Sequence, residues 1–114
     1  MAQLGSHQFL DDFALAYHRV VADRLRQAPV PILQRALANL AQWTTRGELS
    51  AGALLSLAEW QHILEDYSVE KIILLITANS DEGQRLRQST PFAGILTPAE
   101  RKDLLAHCEE RANA

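Results

Sequence analysis

The sequence predicts an all-α fold, a compact single-domain bundle of five or six short helices, and three observations carry that prediction. Leu and Ala dominate while Val and Thr are sparse, and five glycines and four prolines are too few to interrupt helices often. Apolar residues recur at i, i+3, i+4, i+7 spacing through most of the chain. A serine, threonine or proline stands before most of these runs, where a helix start favours it.

The first helix is expected from about His7 to Gln27, capped by Ser6, with Leu10, Phe13, Ala14, Tyr17, Val21 and Leu25 as its stripe. Pro29 and Pro31 end it, because proline lacks a backbone donor and restrains the residue before it. Pro31 also suits the first turn of the next helix. That second helix runs to about Thr45, with Leu33, Leu37, Leu40, Ala41 and Thr44 on one face and Gly47 just past its end. Ser50 opens a third helix to about Asp66, with Ala53, Leu57, Trp60 and Leu64 in one stripe.

Ser68 caps the segment VEKIILLITA, whose apolar run Ile72 to Ile76 suits either a buried helix or a strand. Helix is the better assignment, since no second strand exists to pair with it. A run apolar on all sides implies a central position. Asn79 or Ser80 then caps a short helix over DEGQRLRQ, with acids at its favourable end. Residues 89–96, STPFAGIL, form an ordered loop whose Phe92, Ile95 and Leu96 call for burial. Thr97, Pro98 and Glu100 make the clearest start signal in the chain: a cap, a proline at the first position and a glutamate that reaches back. The last helix runs to about Arg111 with Leu104, Leu105 and Cys108 facing inward. No repeat or linker divides the chain, so one domain spans 1–114, with 1–6 and 112–114 expected to fray.

The net charge of −3 is unevenly spread. Residues 1–49 carry a small basic excess, 50–80 hold Lys71 against Glu59, Glu65, Asp66 and Glu70, and 81–114 are nearly balanced. With a pI near 5.7 and no basic stripe, non-specific nucleic-acid binding is disfavoured. No stretch approaches the roughly 18 apolar residues of a membrane span. Cys108 has no intrachain disulfide partner, and MAQLGSHQ lacks the basic start and apolar run of a secretory signal. A cytoplasmic location is expected.

Catalytic constellations do not emerge. Glu59 and His62 stand at i and i+3 on the third helix with Asp66 one turn on, but a carboxylate-bridged metal centre needs two such pairs. Solvated side chains with a favourable His62–Asp66 pair account for the spacing. His18 has no carboxylate at i±3 or i±4 and borders the apolar stripe. His107 and Cys108 are adjacent and point about 100° apart, which prevents a nucleophile–base pair. The glycines are too dispersed for a phosphate-binding loop. Neither enzyme chemistry nor a cofactor is therefore expected. As a helix-turn-helix, the third helix would put Glu59, Glu65 and Asp66 in the major groove with no Arg or Lys. The basic groups Arg85, Arg87, Arg101 and Lys102 flank the loop, offset by Asp81, Glu82, Glu100 and Asp103.

The segment RLRQSTPFAGILTPAER (85–101) follows an upstream RALANLAQW (35–43) and YHRVVADRL (17–25). Together they resemble a group of small uncharacterised bacterial proteins that pair an LRQ-S-x-PFAG-x-L-x-P-x-ER motif with such a helix. The resemblance covers most of residues 17–101. It implies a bacterial partner-binding protein of the kind found in toxin–antitoxin-like or defence gene pairs, and it carries no catalytic residues.

These observations predict a protein that binds another protein, encoded nearby, as an antitoxin-like or immunity-like neutraliser. The surfaces singled out are the acidic third helix (Glu59, His62, Glu65, Asp66), Trp43 off the main stripe of the second helix, nearer Ala36 and Leu40, and Phe92 of the PFAG loop. A DNA-binding regulator using the C-terminal basic residues is the alternative, and an accessory subunit of a larger complex the second. Homodimerisation stays open.

Overall fold

Hydroxyl side chains start four of the helices. In the computed structural model, which describes residues 6–114, Ser50, Ser68, Ser80 and Thr97 accept the backbone N–H of Ala53, Lys71, Gly83 and Glu100, each at 3.1 Å. The six helices are α1 (Ser6–Gln27), α2 (Pro29–Arg46), α3 (Ala51–Asp66), α4 (Val69–Thr77), α5 (Asp81–Gln88) and α6 (Pro98–Ala112), with no strand among the described residues. The chain is thus all-α. Residues 72–76 are helical. The Thr97–Glu100 capping box is complete, since Thr97 N–H also donates to Glu100 Oε1 at 2.8 Å. α1 begins at Ser6 itself, one residue before the expected start at His7, and the fraying expected of 1–5 lies outside the described residues.

α1 is the axis of the bundle. It packs against α2, α4, α5 and α6, while α3 leans on α2 and α4 on α5. Val21 and Leu25 of α1 are fully buried, as are Trp60 of α3, Ile72 and Ile76 of α4, and Phe92 of the loop. α6 has half-buried Leu104, Leu105 and Cys108 but no buried residue, so it covers the bundle without entering it.

Several expected faces are rotated. Leu10, placed in the α1 stripe, is 57% exposed, whereas its neighbour Phe9 is half-buried. On α2 the buried residues are Ala36, Asn39 and Leu40; of the expected face, Leu40 is buried and Leu33 and Leu37 are half-buried against the core, as Trp43 is, while Ala41 and Thr44 are exposed. Asn39 explains the difference: it is a polar residue in the middle of the core face, with bonding partners there. α4 is not central on all sides, since Leu74 is 69% exposed. α6 continues one residue further than expected, to Ala112.

The corner between α4 and α5 depends on Gly83. A Cβ there would collide with the carbonyl oxygen of Ala78, a backbone atom that cannot rotate away. The close approach brings α5 under the end of α4, where Arg87 caps it. Arg87, itself buried, donates through Nη1 to the carbonyls of Ile76 (3.2 Å) and Ala78 (2.8 Å). A guanidinium at a helix C-terminus satisfies carbonyls that have no intrahelical partner and meets the negative end of the dipole.

Candidate functional site

The loop of residues 89–96 is ordered because four of its carbonyls are held by side chains from α1 and α2. Asn39 Nδ2 donates to Pro91 and Ala93, both at 2.9 Å; Tyr17 Oη donates to Phe92 at 2.7 Å; and Arg24 Nη1 donates to Ile95 at 2.9 Å. The segments 35–43 and 85–101, far apart in sequence, thus meet at this loop. From the other side Trp60 Nε1 donates to the Leu86 carbonyl and to Ser89 Oγ, both at 3.2 Å. Phe92 fills the centre, edge-on to Trp60 (5.8 Å between rings) and to His18 (6.3 Å). Phe92 is therefore a core residue and not a contact surface, which corrects its assignment to partner binding: its ring has no exposed area.

His18 sits beneath the loop, 2% exposed. Its Nδ1 lies 2.7 Å from the Ala14 carbonyl, which can only accept, and this assigns the proton of the neutral ring to Nδ1. Nε2 then accepts from Thr90 Oγ1 at 2.7 Å, while Thr90 Oγ1 accepts from Phe92 N–H at 3.1 Å. Burial pushes the imidazole pKa down to about 4, against a partial opposing pull from the Ala14 hydrogen bond. A group neutral when folded and basic when unfolded binds more protons in the unfolded chain, so stability falls as pH drops from about 6.5 towards 4. The loss between pH 6.5 and 4.5 should be on the order of 2 kcal/mol. Glu100, held down to about 2 by Arg24 and by the Thr97 backbone, is lost only below that window. Urea midpoints at the two pH values should shift in the native chain and much less in His18→Gln; equal shifts would remove His18 as the cause.

Above this layer lies a cleft of about 830 Å³ between α1, the loop and the start of α6. Phe13, Tyr17, Leu96 and Leu105 give it apolar walls. Arg35, Arg87, Arg101 and Lys102 also line it, and no Asp or Glu does among the described residues. Arg101 lies over the Phe13 ring at 5.1 Å. Gly94, at φ +78°, lets the loop pass Arg35: a Cβ there would run into its guanidinium. The nearby Asp11 carboxylate accepts from Gln84, and Glu100 pairs with Arg24.

The remaining residues singled out from the sequence lie on the α2–α3 flank. Trp43 is half-buried in a groove of about 360 Å³ with Leu49, Ala53 and Leu57, and Thr90 lines both this groove and the cleft. Glu59 is not an unpaired acid: Arg85 of α5 grips it with two hydrogen bonds of 2.8 and 3.0 Å, which holds its carboxyl below the usual range. His62 pairs with Asp66 at 2.6 Å, and Glu65 accepts from Gln61 at 2.7 Å. The structure therefore keeps Glu59, His62, Glu65 and Asp66 on α3, places Trp43 at the groove by the start of that helix, and withdraws Phe92. It also halves the basic cluster that DNA binding would need, since Arg85 is bound by Glu59 and Arg87 is buried as a cap. Among the described residues no three His, Cys, Asp or Glu side chains are gathered to hold a metal ion, and no helix is long and apolar enough to cross a membrane.

Sequence reasoning missed the cleft because its members come from four places in the chain, with no local pattern. One signal was present: Arg101 and Lys102 open an otherwise apolar helix face directly after a loop rich in apolar residues. Compared with known proteins, the chain matches no family model, and no curated protein or solved structure is similar to it.

Proposed function

We propose that the chain is a non-enzymatic binding module for another protein, and that the first half of α3 is its docking face. One observation carries this reading. The stretch AGALLSLA (51–58) has no charged residue, yet Leu54 is 46% and Leu55 72% exposed. A helix apolar all round belongs in a core or against a partner. The groove beside it, with Trp43 at its edge, offers the kind of half-buried aromatic anchor that dominates protein interfaces. The acidic second half of α3 forms a polar rim, with Glu65 and Asp66 exposed. The resemblance of segments within 17–101 to a group of small uncharacterised bacterial proteins supports the antitoxin-like or immunity-like version, in which the partner is encoded nearby.

The test uses the tagged chain purified at moderate salt from cells that make it, with bound proteins identified by mass spectrometry. One stoichiometric partner is expected, and Leu55→Glu should lose it while melting within a few degrees of the native chain. A surface change of this type costs little stability. Recovery of the bait alone, or a partner held equally well by the variant, would overturn the proposal.

A further inference from the structure

The second cavity of the molecule has a different chemistry from the docking face, and the inference drawn from it does not depend on a protein partner. In a chain with a net charge of −3, four cationic side chains converge on one cleft while no described carboxylate lines it. Three basic residues elsewhere are held by a carboxylate: Arg24 by Glu100, Arg26 by Asp23, Arg85 by Glu59. Those of the cleft are not. Arg101 and Lys102 have no ion-pair or hydrogen-bond partner among the described residues, and Arg35 has only a long 3.4 Å bond to Asn39. Burial makes Arg87 less willing to hold its charge, which an anion in the cleft would reverse.

The cleft is also preformed. The loop arches over it because Asn39, Tyr17 and Arg24 hold its carbonyls, and α6 rests on the bundle without a fully buried residue. Its volume lies within the roughly 300–1,000 Å³ of small-molecule sites, and its walls are mainly apolar with a few polar groups. A bare inorganic anion would leave that apolar surface uncovered. An uncharged apolar molecule would leave the cations without a partner.

We infer that the cleft between α1, the 89–96 loop and α6 is a binding site for a small amphipathic organic anion. The carboxylate or phosphate meets Arg101 and Lys102 at the mouth, and the apolar body lies along Phe13, Tyr17 and Leu105. The α6 N-terminus takes no part, since the Thr97–Glu100 capping box occupies it.

Decanoate, decanol and inorganic phosphate, titrated separately by calorimetry against the full chain, test the site. Decanoate should bind saturably at one per chain. Decanol, the same body without the charge, should bind at least about tenfold more weakly, the scale of one charge-assisted hydrogen bond. Phosphate alone should bind more weakly still. Arg101→Gln with Lys102→Gln should weaken decanoate by about tenfold or more without lowering the melting temperature, because both side chains are exposed. Absence of saturable decanoate binding, equal affinity for decanol, or a double variant that binds like the native chain would overturn the assignment. So would phosphate binding as tightly as decanoate, or binding only to vesicles of anionic phosphatidylglycerol, which would make the site a plain anion or membrane-surface contact.

Discussion

Phe92→Ala is expected to lower the stability of the fold by about 3–5 kcal/mol, the largest effect of any single truncation here. The ring has no exposed area and meets Trp60 and His18 edge-on, so removing it leaves a void between α1 and α3. The void cannot collapse easily. The Phe92 carbonyl is held by Tyr17 and its N–H by Thr90, so the loop backbone is tied on both sides of the missing ring. Urea unfolding followed by circular dichroism should show a lower midpoint at unchanged slope. Since such a loss is a large part of a small domain's total stability, Phe92→Leu provides a milder comparison, expected to cost about 1–2 kcal/mol. A loss below about 1 kcal/mol for Phe92→Ala would show that the loop is not part of the core.

The second large effect is expected at Arg87. Arg87→Met keeps most of the buried stem but removes both donors from the C-terminal carbonyls of α4, and leaving buried acceptors unsatisfied should cost about 2–4 kcal/mol. Arg87→Lys retains the charge, but its shorter stem ends one bond short of Nη1, the nitrogen that reaches both carbonyls, and should recover only part of the loss. Both are read by the same unfolding measurement, with hydrogen exchange at Ala78 and Gly83 as a local probe. A Met variant as stable as the native chain would mean that water replaces the guanidinium at no cost.

Helix boundaries were largely legible because they depend on local chemistry. Ser50, Ser68 and Thr97 each announced a start, and the chain folds as those residues dictate. Helix faces were less legible. On α2, periodicity in apolar residues alone points to Leu33, Leu37 and Leu40, because Asn39 counts as polar; only its partners Pro91 and Ala93, more than fifty residues away, make it an inward residue. His18 is similar: burial of an imidazole is acceptable once Ala14 and Thr90 take up both ring nitrogens, and Thr90 is not visible from the neighbourhood of His18. The α3 flank was found from its charges, but the pairing of Glu59 with Arg85 shifts attention to Leu54 and Leu55. The cationic cleft was barely legible: Arg101 and Lys102 after the apolar loop were its one local sign, and charges that offset one another in sequence are separated in space.

The central position of α1 has a consequence for how the chain comes off the ribosome. α1 is made first, yet its main anchors are made last: Tyr17 waits for Phe92, His18 for Thr90 and Arg24 for Glu100, over 75, 72 and 76 residues. While α2 and α3 are being synthesised, the apolar stripe of α1 has only α2 to pack against, with α4, α5 and α6 still to come. Native structure therefore closes only when the final third emerges, and closing so long a loop delays folding more than it weakens the folded state. For much of its synthesis the nascent chain carries an apolar helix that is only partly covered, a natural client for whatever holds unfinished proteins apart.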